Sequence, residues 1–161
     1  MAASTLTIED YREVAPKGAV DFLLRLAERA RGRRFLHVNS TRVGGGVAEI
    51  LTRLVPIMGD LGIKTDWEVI DGDPEFFATT KAFHNALQGI EQAFTEAMLE
   101  HYLEVNRANA ERLKPAGDLV LIHDPQPAAM IASRPPEGRW VWRCHIDLST
   151  PQRRSWAFLR R

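Results

Sequence analysis

Apolar residues along this chain recur at two spacings, a helical one and an alternating one, and the switches between them mark its elements. Residues 5–16 are short and mixed, and Thr7 or Ser4 is placed to cap a brief helical segment before Pro16. From Gly18 to Arg31, Val20, Leu23, Leu24, Ala27 and Ala30 fall on one helical face, with Arg25, Glu28, Arg29 and Arg31 elsewhere. Arg34 to Asn39 reads as a strand. A helix follows from about Gly46 to Leu61, with Val47, Ile50, Leu51, Leu54 and Met58 inward, Pro56 in its last turns and Gly62 closing it. Lys64 to Ile70 alternates as a second strand. Asp71-Gly72-Asp73-Pro74 turns into a helix over Glu75–Leu87, rich in Phe76, Phe77 and Phe83, and a longer helix covers roughly Gln92 to Arg112.

The run Asp118-Leu119-Val120-Leu121-Ile122-His123 is almost continuously apolar, as in a strand buried on both faces of a parallel sheet. A helix is expected from about Pro127 to Ser133 and a fourth strand over Trp140–Ile146. Ser149-Thr150-Pro151 reads as a cap with proline in the first turn of a closing helix. The order helix, β, α, β, α, α, β, α, β, α predicts an α/β fold, a Rossmann-like parallel sheet flanked by helices.

Composition narrows the class. With 161 residues, 45% of them hydrophobic and 26% charged, the chain is one domain or most of one. Lysine and arginine balance aspartate and glutamate, so no nucleic-acid partner is expected, since a dedicated binder carries a basic excess. The single cysteine, Cys144, allows no intrachain disulfide framework and fits a reducing, cytoplasmic setting, where it reads as an inert buried thiol. No apolar run reaches the roughly 18–20 residues of a membrane span, and Met1–Asp10 lacks the apolar centre of a signal peptide.

Ligands of such sheets bind beyond the carboxyl ends of the strands, and the polar residues of this chain gather there. The first strand ends in Asn39, Ser40 and Thr41, followed by Gly44, Gly45 and Gly46; the third ends in His123 and Asp124; the fourth in His145 and Asp147. The excursion after the second strand adds Lys81, His84, Asn85 and Gln88. Contiguous glycines let a ligand approach the main chain at a helix start, yet they match neither a dinucleotide fingerprint nor a phosphate loop ending in Lys-Ser/Thr. Each residue also has a structural reading. Asp124 before Pro125 doubles as a cap, Asp147 as a cap near Ser149, His123 and His145 as core histidines, His37 as a packed strand residue and His101 as a solvated one. The phenylalanines read as core or lid packing. His123, Asp124, His145 and Asp147 match no zinc-ligand spacing, and no G-x-S-x-G elbow is present, so no metal and no cofactor are expected.

Four blocks together carry a resemblance. They are His37-Val38-Asn39-Ser40-Thr41 with Gly44-Gly45-Gly46-Val47-Ala48-Glu49-Ile50-Leu51; Lys81 to Gly89; His123-Asp124-Pro125-Gln126-Pro127-Ala128; and Trp142 to Ser149. In order and spacing they resemble the N-terminal part of trehalose glycosyltransferring synthases, retaining glycosyltransferases built from two Rossmann domains, the GT-B fold. The resemblance covers residues 34–161 and implies an incomplete acceptor-side domain, with 1–33 a helical extension. It implies transfer of glucose from a nucleoside-diphosphate glucose to glucose, giving α,α-trehalose. Asp124 would bind acceptor hydroxyls, His145 the donor glucose, and Gly44–Gly46 would lie over the donor diphosphate. Asn39, His84, Asn85 and Gln126 would be further cleft contacts. In such enzymes the leaving phosphate takes the acceptor proton, so no carboxylate nucleophile is needed, unlike in glycoside hydrolases. The family's donor domain lies outside this sequence. The isolated chain is therefore expected to bind acceptor weakly without turnover, and to self-associate where further strands would pack. Two other classes stay open: a non-catalytic carbohydrate-binding or assembly module, and a nucleotide-binding Rossmann module using Asp71 for ribose.

Overall fold

The computed structural model describes residues 7–160. Four parallel strands, β1 (Arg34–Asn39), β2 (Lys64–Val69), β3 (Leu119–His123) and β4 (Arg139–Arg143), form one sheet in the order β2-β1-β3-β4. The helices are α1 (Ala19–Ala30), α2 (Gly46–Asp60), α3 (Pro74–Leu87), α4 (Glu96–Leu113) and α5 (Arg153–Leu159). The register pairs Phe35 with Leu119 and Leu119 with Arg139. The α/β, Rossmann-like expectation holds. Among the described residues, no helix is long and apolar enough to cross a membrane.

The core sits on one face of the sheet. Leu36, Val38, Val120 and Ile122 point into it and meet Phe76 and Phe83 of α3 and Tyr102 of α4. Phe76 and Phe83 are fully buried and pack against the Tyr102 ring at 5.9 and 5.1 Å between centroids. These aromatics are core, as their apolar spacing allows, whereas Phe77 is partly exposed.

Helix α4 also has a polar duty. Tyr102, Asn106 and Asn109 are buried at successive turns of one face. The Tyr102 hydroxyl donates to the Pro125 carbonyl (2.6 Å), and Asn106 Nδ2 donates to the Gln126 carbonyl (3.1 Å). Asn109 exchanges two bonds with the Asp71 backbone, at 2.8 and 2.7 Å. Buried backbone polar groups need partners, and α4 supplies them to the loops after both β2 and β3.

Several boundaries and faces differ from the sequence reading. The fourth strand ends at Arg143, so Cys144, His145 and Ile146 lie in the turn beyond it. The closing helix starts at Arg153, because Gln152 N donates to Ala86 O (2.8 Å) and holds the preceding segment against the end of α3. Helix α4 starts at Glu96, where Thr95 Oγ1 accepts the Met98 amide at 3.2 Å. The segment Ala128–Ser133 is a 3-10 helix. In α2, Ala48 and Leu51 face the sheet, which leaves Ile50 exposed on the far side. In α1, Val20 and Ala27 are buried but Leu23 is exposed, and a groove of about 440 Å³ lined by Leu26, Arg29, Phe35 and Arg139 lies between the end of this helix and the strands. Thr7 starts the short Ile8–Tyr11 helix and binds Asp10 through its amide at 2.7 Å; Ser4 lies outside the described residues.

Candidate functional site

At the carboxyl edge of the sheet, β1 passes through Asn39 into the glycine turn and then α2. Gly44 (φ 72) and Gly45 (φ 87, ψ 149) take backbone conformations that side-chain-bearing residues rarely adopt, whereas Gly46 is the first helical residue. The Gly45 carbonyl receives the Glu49 amide at 3.2 Å, so the amides of Gly46, Val47 and Ala48 precede the first intrahelical bond. No side chain caps them. They are donors at the positive end of a helix dipole, which suits a ligand anion.

Asn39 anchors this turn from beneath. Its Oδ1 accepts the Trp67 indole N–H at 2.6 Å and its Nδ2 donates to the Thr41 carbonyl at 2.9 Å. Arg42 lies over the Trp67 ring at 4.6 Å. Most of the Asn39 amide is thus spent on holding the loop.

Strand β3 delivers His123 and Asp124. Asp124 has φ 63, uncommon for a residue with a side chain. Three bonds hold it there: its amide to the Arg143 carbonyl (3.0 Å), its carbonyl to the Trp142 indole N–H (2.8 Å), and its Oδ1 to the His145 amide (2.6 Å). Its Oδ2 makes no hydrogen bond among the described residues. Asp124 is therefore both a clasp between the exits of β3 and β4 and a half-buried carboxylate with one oxygen to spare.

Between these loops lies a cleft of about 200 Å³ lined by Asn39, Gly44–Gly46, His84, His123, Asp124 and Gln126, among others. The side chain of Gln126 carries a buried oxygen, Oε1, without a partner, an unmet polar group of the kind that ligand hydroxyls satisfy. His84, from α3, is half-buried; burial and the Lys81 charge hold its pKa below the ordinary histidine value, against a smaller pull from Asp124. Asn85 and His145 stand outside the lining. Asn85 accepts the Gln88 and Ile90 amides at its carbonyl, and His145 bonds to His123 of the lining.

Asp71 is exposed and paired with Arg112 at 3.1 Å, away from the cleft. Asp147 Oδ1 takes the Ser149 amide and hydroxyl (2.9 and 2.6 Å), a local turn. His101 Nε2 hydrogen-bonds Asp73 Oδ2 at 2.8 Å rather than being merely solvated. Cys144 is half-buried, and burial raises its thiol pKa. No cluster of histidine, cysteine and carboxylates that could hold a metal occurs among the described residues.

Sequence reading missed Asn106, which grips the Gln126 backbone, and missed that His37, His123 and His145 touch. Nδ1 of His37 lies 2.9 Å from Nε2 of His123, and Nδ1 of His123 lies 2.9 Å from Nε2 of His145. The available signal was parity: His37 and Leu121 are register partners, so His123, two residues on, shares the face of His37.

The family described as "Trehalose synthase, N-terminal domain" matches residues 37–161. A trehalose synthase of Pyrococcus horikoshii is 52% identical over 96% of this chain and 38% of its own length. One of Rubrobacter xylanophilus is 45% identical over 94% of the chain and 38% of its own. A trehalose phosphorylase of Pleurotus pulmonarius is 30% identical over 94% of the chain and 24% of its own. The chain thus spans well under half the length of these curated relatives.

Proposed function

This chain belongs to the trehalose synthase N-terminal domain family, and from that premise we propose that it forms the acceptor-side wall of a cleft in which glucose passes from a nucleoside-diphosphate glucose to glucose, with retention, to give trehalose. In this reading residues 34–161 are the acceptor-side domain and 1–33 an extension of it. The observation that carries the proposal is the convergence, in one cleft of about 200 Å³, of the uncapped start of α2 with His84, Asp124 and Gln126.

The chemistry follows from what each group offers. The free amides of Gly46, Val47 and Ala48 place donors where negative charge grows on a departing diphosphate, and such preorganised donors lower the barrier to its departure. Asp124 Oδ2 accepts a hydroxyl hydrogen of the acceptor and orients it. Gln126 Oε1 accepts another. His145 contacts the donor sugar from beyond the lining. In this reading the leaving phosphate takes the acceptor proton, so no carboxylate nucleophile is required of Asp124. The ligands in this reading are glucose and nucleoside-diphosphate glucose, without metal or cofactor.

The test is titration of the isotopically labelled chain by NMR. Glucose is expected to move the signals of Asp124, Gln126 and His84, and UDP- or ADP-glucose those of Gly44 to Ala48. Absence of any response at these positions overturns the proposal. A second reading, phosphorolysis of trehalose, is favoured by the relative named phosphorylase. Joining the chain to the C-terminal portion of the Pyrococcus horikoshii relative separates the two: trehalose formed from UDP- or ADP-glucose supports synthesis, and glucose 1-phosphate formed from trehalose and inorganic phosphate supports phosphorolysis.

A further inference from the structure

His37, His123 and His145 lie far apart in sequence and form one row across the edge of the sheet. Adjacent rings stack with centroids 5.2 Å apart in both pairs, at 22° and 26° between planes. His37 and His123 are buried, and His145 is half-buried at the outer end. At the inner end His37 Nε2 is buried with no partner.

A neutral imidazole has one N–H and one acceptor nitrogen. Burial lowers the pKa of His37 to about 4 and of His123 to about 3, with the Arg143 charge adding to both, so these two rings are neutral near pH 7. Both row bonds can then form only if every ring donates in the same direction. Donation towards His37 places an N–H at His37 Nε2, buried without an acceptor. Donation towards His145 leaves only a bare lone pair there. Orphaned buried N–H groups are the rarer of the two defects.

We propose that the row donates outward, from His37 Nδ1–H to His123 and from His123 Nδ1–H to His145 Nε2, and that His37 and His123 are positioning residues that fix His145 as the Nδ1–H tautomer. The hydrogen bond made by one ring nitrogen sets the state of the other. His145 then offers its ligand an N–H donor held in one plane. Its Nε2 lone pair is occupied by His123 and does not serve as a base. The link to sugar binding rests on the reading of His145 given under Proposed function; the direction of the row does not.

Nitrogen-15 imidazole spectra of the chain near pH 7 distinguish the tautomers. The expected result is His145 as the Nδ1–H form. In His123→Leu, which supplies no donor, the ratio of Nδ1–H to Nε2–H in His145 should fall by about fivefold, the worth of one typical hydrogen bond. In His123→Asn, whose amide N–H occupies the Nδ1 position, the ratio should be retained. His145 in the Nε2–H form in the unaltered chain overturns the proposal, as does an unchanged ratio in a folded His123→Leu chain. Where that variant fails to fold, the unaltered chain and His123→Asn decide. If the tautomer is as expected but UDP- or ADP-glucose leaves the His145 signals unmoved, the row stands and the donor-sugar reading of His145 falls.

Discussion

Replacing Gly44, Gly45 and Gly46 in turn by alanine should give three different answers from three adjacent identical residues. An added Cβ meets no heavy atom within 4 Å at any of them, so packing does not distinguish them and backbone conformation alone does. Gly44 sits near the left-handed helical region at φ 72, where a Cβ costs roughly 1–2 kcal/mol. Gly45, at φ 87 and ψ 149, occupies an almost glycine-only region, where the cost is about 1–3 kcal/mol. Alanine also stiffens the unfolded chain, which returns about 0.4–1 kcal/mol where the native conformation permits it. Gly46 is helical, and alanine there should gain roughly 0.5–1 kcal/mol. The net expectation is a loss of ~1–2 kcal/mol for Gly45→Ala, a smaller loss for Gly44→Ala, and a gain for Gly46→Ala. For a chain of this length each kcal/mol moves the thermal midpoint by about 2–4 °C, so Gly45→Ala and Gly46→Ala should differ by roughly 5–10 °C. Urea and thermal unfolding followed by circular dichroism measure this. Equal midpoints for the three variants, or a Gly45→Ala chain as stable as Gly46→Ala, would refute the conformational argument.

Three further outcomes follow from the site and its surroundings. Asp124→Gly should be more stable than Asp124→Ala by about 1 kcal/mol in urea unfolding, since both lose the bond to the His145 amide but only glycine is at ease at φ 63; equal midpoints would contradict this. His37 and His123 titrate in the unfolded chain near 6.5 and in the folded chain at about 4 and about 3, so folding is favoured fully above pH ~6.5 and loses ground as pH falls towards 4. The thermal midpoint should therefore drop between pH 7 and pH 5, less steeply in His37→Phe, and a flat profile in that interval would count against neutral burial. His101 shows the opposite sign: its bond to Asp73 raises its pKa, so its contribution is present below about 6.5 and lost as pH rises through the raised value. His101→Ala should accordingly cost more at pH 6 than at pH 8 when the midpoints are compared with those of the parent chain.

Patterning made the strands and the glycine turn legible because their determinants are local. The run Leu119–His123 and the sequence Asn39 to Gly46 each carry their own conformational signal. Apolar faces were less legible: Leu23 and Ile50 satisfy the helical period yet are exposed, whereas Ala27 and Leu51 on the same predicted faces are buried, together with Ala48. The closing helix was placed early because Ser149 and Pro151 look like a helix start, while a distant bond from Gln152 to Ala86 holds that segment in place. In the candidate site, strand-end logic placed Gly44–Gly46, His84 and Asp124 along one edge, and Gln126 came only from the family resemblance; all of them line one cleft. It did not show that Asn39 is committed to Trp67 and Thr41, or that three histidines share two protons' worth of donation. Both depend on contacts between residues far apart in sequence, which spacing does not encode.

The strand order also has a consequence in time. As the chain emerges from a ribosome, β2 is available to β1 first, but the other side of β1 waits for β3, about fifty residues later. At ~5–20 residues per second, that side stays unpaired for roughly 3–10 s. During this interval Phe35, Leu36 and Val38 flank an open row of backbone donors and acceptors, the kind of edge that recruits foreign strands. The long helical excursion that brings Tyr102 and Asn106 to the loop after β3 and Asn109 to the loop after β2 is therefore also a delay, and the newborn chain should be most vulnerable to aggregation while α3 and α4 are being made.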